Sequence, residues 1–295
     1  WDAMLQFLAE RAIAGMEVVS DDSYSRVIEL DGATGSITIS HEPGQSSLRV
    51  VVRFPKLNLL PAIIARIRRM FDLSADPGAI GQALSADPAL APLVAQRPGL
   101  RVPGAWDGFE IAVRAVLGQQ ITVKAATQLA RRIVAAIGTP VDNAGTPLLT
   151  HGFPRPKQLT AGALSSVGGM PNARAATLAG IASAVCADER LFDPCRDLEQ
   201  AVARLRDLSG VGEWTAQYIA MRALGESDAF LAGDVAVQRK FASNGRRPTA
   251  AELLARAEHW RPWRAYAVLH LWMANAAVPQ TSLASSEETY HALTA

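Results

Sequence analysis

The groups in this chain that could do chemistry are a glycine-containing hairpin and Asp234, a carboxylate 22 residues after Gly212. The hairpin, Ser209-Gly210-Val211-Gly212, lies between two helical patterns, and the second helix is predicted to begin near Glu213. Glycines at these positions allow a sharp turn and the close approach of another molecule. Because the amides in the first turn of a helix lack intrahelical partners and attract anions, the hairpin suits a phosphate.

Asp234 has two compatible interpretations. It precedes the helical pattern VAVQRKFA, where an aspartate is a common N-cap. It also supplies a fixed carboxylate beside an anion-binding hairpin, a combination that indicates an enzyme that handles DNA. A helix N-terminus favours the ionised form of such a carboxylate. Asp228 is the competing candidate and ranks behind Asp234.

The composition is that of a globular protein, because 49% of the 295 residues are apolar and only 19% are charged. The net charge is +1, so any nucleic-acid surface has to be a local patch. No apolar run reaches the roughly 18 residues that a bilayer requires, and no signal peptide is visible, so no membrane partner is expected. Two cysteines are too few for a disulfide scaffold. No metal-ligand spacing is present.

The hydrophobic period divides the chain into two regions. In residues 1–72, a short helix over 4–15 precedes β-rich runs between 17 and 53 that are separated by the turn signals DGATG and HEPGQS. We predict a small antiparallel meander there, covered by an amphipathic helix over 59–71. Residues 73–295 follow the helical period almost throughout. The predicted fold class is therefore α+β, with a small N-terminal antiparallel sheet before an all-α region.

The residues around the hairpin resemble a known superfamily. Leu205 and Leu208 precede the turn, and Trp214-Thr215-Ala216 opens the next helix. This arrangement resembles the helix-hairpin-helix DNA glycosylases, and within them the alkylation-repair branch, the DNA-3-methyladenine glycosylase II (AlkA type) family. The resemblance extends from WDAMLQFLAERA at the start of the chain to WRPWRAYAVLHLWMA near its end. It implies two helical subdomains within 73–295 that flank an active-site cleft.

The resemblance implies that the hairpin holds double-stranded DNA. Contacts to phosphate position a duplex without reading its sequence, as an enzyme that scans DNA requires. The residues implied in this contact are Ser209, Gly210, Val211, Gly212 and Thr215. In the family the hairpin carbonyls often hold a monovalent cation, and by position these carbonyls belong to Arg206, Leu208 and Val211. A structural Na⁺ or K⁺ is thus expected at the hairpin, and no cofactor is expected to be required.

The same resemblance aligns the catalytic aspartate of the family with Asp234. Breaking an N-glycosidic bond develops positive charge on the sugar, which a fixed carboxylate stabilises while it orients an attacking water. Trp214 discriminates between mechanisms, because relatives that also cut the strand carry a lysine at this position and an indole cannot form a Schiff base. The chain also lacks the four-cysteine iron–sulfur motif of some of those relatives. We therefore predict a monofunctional glycosylase that leaves an abasic site.

The residues predicted to line a base pocket are aromatic: Trp214, Tyr218, Trp272 and Phe7. Trp214 and Tyr218 share a helix face, whereas Phe7 joins them only through the resemblance. Electron-rich rings attract cations, and alkylated purines such as 3-methyladenine and 7-methylguanine are cationic in DNA. The alternative is that these side chains are ordinary core aromatics. Val235 and Ala236 are smaller than the pair often found after the aspartate, which predicts a wider pocket wall.

A base that enters such a pocket leaves the stack, and another group has to fill the gap. Gly118-Gln119-Gln120 interrupts the helical pattern of residues 107–138. The resemblance aligns Gln119-Gln120-Ile121 with the wedge of the family, and either Gln120 or Ile121 is the intercalating residue. The alternative interpretation of this polar stretch is a helix cap.

A basic segment and a histidine are the remaining candidates. Residues 239–264 contain seven basic residues and two glutamates, a local net charge of +5. Such a run is usually a solvated face, and beside the predicted site it would serve equally as a phosphate track. His270 shares a helix with Trp272, and a lone helical histidine is more often structural.

Two other functions stay open. One is a helix-hairpin-helix module that binds damaged DNA without catalysis; Asp234 argues against it, because a carboxylate near phosphates lowers affinity. The other is a bifunctional glycosylase/lyase, against which Trp214 argues. We expect a monomer in the bacterial cytoplasm, associated with the nucleoid. Because the chain begins with Trp1 rather than Met, upstream residues are expected, and some relatives carry a methyl-acceptor and transcription-activator module there.

Overall fold

The computed structural model describes residues 1–142, 144–193 and 197–274. One of the two cysteines, Cys195, lies outside these ranges. Within them, none of the helices combines the length and the apolar character that crossing a bilayer requires.

The N-terminal sheet is an antiparallel meander in which the strands follow their order in the sequence. The strands are β1 (Glu17–Val19), β2 (Ser23–Leu30), β3 (Ala33–His41) and β4 (Leu48–Arg53). The register pairs Tyr24 with Ile39 and Ile37 with Val52. Ile37 and Ile39 are fully buried in a core to which Ile63 and Ile67 of α2 (Leu60–Met70) also belong. The predicted sheet and its covering helix are thus confirmed.

The remainder of the described chain is mainly helical. Its helices are α1 (Asp2–Ala9), α3 (Pro77–Leu84), α4 (Ala91–Gln96), α5 (Gly108–Leu117), α6 (Val123–Ile137), α7 (Ala161–Ser165), α8 (Asn172–Ala187), α9 (Leu198–Arg206), α10 (Glu213–Ile219), α11 (Val235–Lys240), α12 (Ala250–Ala257) and α13 (Arg264–Met273). A π-helical turn, Ala220–Leu224, continues α10. A short antiparallel ladder between α6 and α7 pairs β5 (Thr139–Pro140) with β6 (His151–Gly152).

Two apolar cores hold these elements together. The smaller core lies around the sheet and contains Leu5 and Leu8 of α1 together with Trp106. The larger core lies among the helices and also contains Phe7 and Val27 from the N-terminal part. Because α1 contributes to both cores, Phe7 is directed toward the helical region. The division of the chain at residue 72 stays a prediction.

The end of the first helix differs from the sequence prediction. The first helix was expected to extend to Gly15, but α1 ends at Ala9. The reason is that Ile13 and Met16 are fully buried, and the Ile13 N–H donates to the Glu17 carboxylate at 2.8 Å, which turns the chain into β1. The last described helix, α13, begins at Arg264, whose side chain is held by Asp228.

Candidate active site

A cleft of about 880 Å³ brings together the residues that the sequence singled out. Its wall includes nine of the predicted site residues: Phe7, Gln120, Ile121, Gly212, Trp214, Thr215, Tyr218, Asp234 and Trp272. They come from α1, the break between α5 and α6, and helices α10, α11 and α13, so their convergence is a product of the fold. Ser209, Gly210 and Gly212 of the hairpin are exposed, whereas Val211 is buried.

Asp234 is the N-cap of α11, and its carboxylate accepts four hydrogen bonds. Oδ1 accepts the backbone N–H groups of Ala236 at 2.9 Å and Val237 at 3.0 Å, and the Trp272 indole N–H at 3.2 Å. Oδ2 accepts the Trp214 indole N–H at 3.0 Å. Oδ2 therefore retains lone-pair capacity for a further group such as a water. Both interpretations of Asp234 are compatible with this geometry.

The two indoles that hold Asp234 also form part of an aromatic wall. Trp214 and Tyr218 stack with ring centroids 5.2 Å apart and an interplanar angle of 14°. Tyr218 and Trp272 lie 6.3 Å apart at 42°. All three side chains are half-buried, so they are neither fully solvated nor fully enclosed in the core. The sequence predicted that these three aromatic side chains line a pocket. It did not predict that Trp214 and Trp272 also donate hydrogen bonds to the Asp234 carboxylate.

Phe7 is also in the wall of the cleft, but guanidinium groups lie over its ring. The Cζ atom of Arg11 lies 3.8 Å from the Phe7 ring centroid, and that of Arg222 lies 4.7 Å from it. Phe7 is 2% exposed and belongs to the larger core. The Phe7 ring thus already has cationic partners, and its place in a base pocket stays a prediction. Neither arginine was singled out from the sequence.

Arg222 changes the acidity of the Tyr218 phenol, which belongs to the aromatic wall. Its Nη1 donates to the Tyr218 hydroxyl at 2.7 Å. Burial by itself would raise the pKa of the Tyr218 phenol, but the positive charge of Arg222, assisted by those of Arg11 and Arg114, outweighs burial and lowers that pKa. The positions of these arginines carry a sequence signal, because Arg11 follows Phe7 by four residues and Arg222 follows Tyr218 by four. On a helix, this spacing brings two side chains together.

The break between α5 and α6 is joined to the hairpin by Gln119. Its side-chain Nε2 donates to the Gly210 carbonyl and to the Thr215 hydroxyl, both at 3.0 Å. Arg174 of α8 donates to the Gln119 carbonyl at 2.7 Å. Gln120 is exposed and has a left-handed φ of +60°, whereas Ile121 is half-buried and packs against the larger core. Gln120 is therefore the more accessible of the two wedge candidates.

The two hairpin glycines have different structural requirements. Gly210 has a φ of +82°, and a Cβ placed there would lie 2.2 Å from the Thr177 hydroxyl of α8. Gly212 has an ordinary φ of −86°, and a Cβ there would meet no atom within 4 Å. Gly210 is thus required by the fold, whereas a side chain at Gly212 would extend into open space.

The basic segment is mostly engaged in ion pairs within the protein. Arg246 pairs with Glu252 at 2.8 Å, and Arg256 pairs with Asp87 at 3.0 Å. Arg261 and Arg264 both pair with Asp228. The charges of these four arginines are compensated locally, which favours the solvated-face interpretation of the segment over a phosphate track. Asp228, the competing catalytic candidate, belongs to this cluster and is not in the wall of the cleft.

His270 lies behind the site rather than in it. It is 4% exposed, and burial lowers its pKa to about 4, so the imidazole is neutral near pH 7. This is compatible with the structural interpretation. Among the described residues, no cluster of side chains is suited to hold a metal ion.

A buried ion-pair network in the wall of the cleft was missed by the sequence reasoning. Arg114 contacts Glu17 at 2.6 Å and Glu110 at 2.8 Å, and Arg26 contacts Glu110 at 2.6 Å. Glu17 and Arg26 belong to the sheet, while Glu110 and Arg114 belong to α5. Since two positive and two negative charges balance, the network attaches the sheet to the helical region without a net buried charge.

Replacing Glu110 with glutamine is expected to lower the free energy of unfolding by about 3–5 kcal/mol, because it leaves buried arginine charge without its partner. Burial raises the pKa of Glu110, but Arg26 and Arg114 outweigh burial and lower it. The network therefore stabilises the fold above the ordinary glutamate pKa, and this stability is lost as pH falls through the lowered value. Urea unfolding across the acidic range should be less steeply pH-dependent in Glu110→Gln than in the wild type; parallel curves would contradict this.

Known proteins are similar to this chain over most of its length. A family model described as the AlkA N-terminal domain matches residues 1–107. The probable bifunctional transcriptional activator/DNA repair enzyme AlkA of Mycobacterium tuberculosis is 38% identical over 276 residues, covering 92% of this chain and 54% of that protein. The chain thus spans about half the length of that relative. DNA-3-methyladenine glycosylase 2 of Escherichia coli is 34% identical over 275 residues, covering 92% of this chain and 93% of that protein.

A solved structure has the same architecture. The 3-methyladenine DNA glycosylase from Archaeoglobus fulgidus superposes with a TM-score of 0.78 at 24% identity, covering 92% of this chain and 94% of that one. This likeness concerns the fold. It confirms the predicted α+β arrangement, with a small sheet preceding a helical region of the helix-hairpin-helix type.

Proposed function

Because the chain belongs to the DNA-3-methyladenine glycosylase 2 (AlkA) family, we propose that it is a monofunctional glycosylase of base-excision repair. It would flip alkylated purines of the 3-methyladenine and 7-methylguanine type out of duplex DNA and hydrolyse their N-glycosidic bond. The observation that carries this proposal is the Asp234 carboxylate, which the indoles of Trp214 and Trp272 hold in the wall of the cleft.

The arrangement gives each group a role in hydrolysis. A flipped purine enters the cleft beside the rings of Trp214, Tyr218 and Trp272, whose faces attract its positive charge. As the bond between the sugar C1′ and the purine nitrogen breaks, its electron pair leaves with the purine and neutralises it. The Asp234 carboxylate stabilises the positive charge that develops on the sugar. A water adds its oxygen to C1′ and releases a proton to the solvent, which leaves an abasic site.

Strand cleavage by an amine is not supported by the residues around the cleft. Trp214 occupies the position at which lyases of the superfamily carry lysine. Among the described residues, no lysine is in the wall of the cleft. This favours hydrolysis over Schiff-base chemistry.

We propose that the exposed face of the hairpin binds a DNA phosphate and that Gln120 is the wedge. Ser209, Gly210 and Gly212 are accessible next to the cleft. Gln120 projects from the break between α5 and α6 and can both fill the gap and bond to the orphaned base. Gln119 joins the break to the hairpin through the Gly210 carbonyl and Thr215. Phosphate binding and wedge position would thus be mechanically linked.

A monovalent cation at the hairpin is compatible with the residues present. The Leu208 carbonyl accepts the Val211 N–H at 3.0 Å. Because a carbonyl oxygen has two lone pairs, this bond leaves capacity for an ion. We propose that Na⁺ or K⁺ would be held by the carbonyls of Arg206, Leu208 and Val211. Such an ion would add positive charge behind the amides that face the phosphate.

The cellular setting follows from the proposed substrate. We propose that the protein acts as a monomer on double-stranded DNA that contains alkylated bases, in the cytoplasm of a bacterium and at its nucleoid.

Methylated duplex DNA distinguishes the enzyme from a binding module. Chromatography of the free bases should detect 3-methyladenine and 7-methylguanine after incubation with the protein. Binding to the same DNA is measured in parallel. Binding without base release would refute the proposed activity and favour a non-catalytic module.

Removing one indole donor should slow the reaction while leaving the aromatic wall in place. In Trp214→Phe or Trp272→Phe, the ring remains but the hydrogen bond to Asp234 is lost. A hydrogen bond to a charged group contributes about 1.5–3 kcal/mol, so we expect base release to slow by about tenfold or more. Single-turnover rates measure this effect.

Trp260→Phe is the matched control for the indole variants. The Trp260 indole N–H donates to the Asp87 carboxylate at 2.8 Å, outside the cleft. The rate per folded molecule should be that of the wild type. Equal losses in all three variants would show that the effect is one of stability and would contradict the role assigned to the indoles.

A further inference from the structure

The cleft contains a guanidinium that is only partly engaged by the protein. The Arg11 Nη1 donates to the Phe7 carbonyl at 3.1 Å and to Glu10 at 3.0 Å. Its side chain is 25% exposed and forms part of the cleft wall. Among the described residues, neither Nε nor Nη2 of Arg11 has a hydrogen-bond partner. Donors thus remain available in a cleft that is proposed to receive a purine.

In two other arginines of the cleft wall, Arg222 and Arg114, all three guanidinium nitrogens donate hydrogen bonds within the protein. Arg222 donates to the Pro103 carbonyl through Nε, to Tyr218 through Nη1 and to the Gly104 carbonyl through Nη2. Arg114 donates to the Arg11 carbonyl at 2.8 Å in addition to its two glutamates. The contact from Arg114 holds the backbone of Arg11, whose guanidinium lies over the Phe7 ring.

The positive charge of Arg11 acts electrostatically on Tyr218 in the aromatic wall. Arg11 is one of the three arginines whose positive charges outweigh burial and lower the pKa of the Tyr218 phenol. A base stacked in this cleft would lie in the same field. Close to Arg11 this charge favours an electron-rich edge of the base, whereas the ring faces of Trp214, Tyr218 and Trp272 attract its overall positive charge.

Purines differ at the position that such a donor would contact. A guanine-type base carries a carbonyl oxygen at position 6, which accepts hydrogen bonds, whereas an adenine-type base carries an amino group there, which donates. A guanidinium has donors only. We propose that Arg11 is a specificity-determining residue, which favours 6-oxo over 6-amino purines by donating to the carbonyl oxygen of the flipped base. This inference rests on the proposed glycosylase activity.

The test compares two bases released from one substrate. Methylated duplex DNA yields 7-methylguanine, a 6-oxo purine, and 3-methyladenine, a 6-amino purine, and the ratio of their single-turnover rates is measured. In Arg11→Met, which keeps an unbranched side chain but has no donors, we expect this ratio to fall by about tenfold. Arg11→Lys keeps the charge but loses the planar pair of donors. Its ratio of 7-methylguanine to 3-methyladenine release should therefore lie between those of the wild type and Arg11→Met.

Arg190→Met is the matched control. Arg190 also pairs with a carboxylate, Asp193, but its side chain is 85% exposed and outside the cleft. The control should reproduce the wild-type ratio. Wild-type ratios in both Arg11 variants, with both bases released, would overturn the inference and leave the glycosylase activity intact. If the wild type released neither base, the proposed function itself would fail. If Arg11→Met did not fold, a wild-type ratio in Arg11→Lys would still contradict the proposal.

Discussion

Asp234→Asn is expected to slow base release by about 10²- to 10³-fold or more, the range found when a group that stabilises transition-state charge is removed. The amide is nearly the same size as the carboxylate but carries no negative charge for the sugar. Its NH2 group would also face a donor, because Oδ1 and Oδ2 both accept indole N–H groups. DNA binding should be unchanged or tighter, since a carboxylate near phosphates is repulsive.

Asp76→Asn provides a matched control for this substitution. Asp76 caps α3 by accepting the Gly78 and Ala79 N–H groups, as Asp234 caps α11, and it is outside the cleft. Single-turnover rates and binding isotherms of both variants separate catalysis from helix capping. Wild-type rates in Asp234→Asn would contradict the catalytic assignment. Equal losses of single-turnover rate in both variants would indicate that Asp234 acts only as a helix cap.

Gly212→Asp is expected to weaken binding of duplex DNA by about 100-fold or more, since a like charge placed against a phosphate costs several kcal/mol. Gly212 is the N-cap of α10, and a side chain there meets no atom within 4 Å. Aspartate is a good N-cap, so the free energy of unfolding should be unchanged or slightly higher. Loss of binding without loss of stability would therefore locate the phosphate contact.

Gly212→Asn tests the charge alone. Asparagine caps a helix about as well as aspartate and has almost the same shape. We expect its affinity, measured at one fixed salt concentration, to lie well above that of Gly212→Asp. Similar affinities in the two variants would indicate a steric effect and contradict a phosphate at this position. Gly210 is unsuited to such a test. Its φ is positive and a Cβ there would clash with Thr177, so any side chain at this position would destabilise the fold.

Local rules predicted those parts of the fold that depend on short-range interactions. The turn signals between the β-rich runs and the cap at Asp234 depend on neighbours within a few residues, and the structure contains both of them. The break at Gly118-Gln119-Gln120 was visible for the same reason, since it interrupts a single helical period.

Contacts between distant parts of the chain were not predictable in this way. Asp87 binds Arg256 across 169 residues, so the compensation of the basic segment could not be inferred from its composition. The indoles that hold Asp234 lie 20 and 38 residues from it. Their types suggested an aromatic pocket, but the direction of their N–H groups depends on the packing of α10 and α13. The spacing of Arg11 and Arg222 from aromatic residues was visible, yet only the fold shows that both face Phe7.

The most direct test of hydrolysis is strand integrity after base release. A duplex that carries one 7-methylguanine is incubated with the protein, and the strand is analysed before and after alkali, with borohydride added in a parallel reaction. We expect release of the base, an intact strand before alkali, cleavage at that site after alkali, and no protein–DNA adduct with borohydride. Cleavage before alkali or a trapped adduct would show amine chemistry and contradict the proposed hydrolysis.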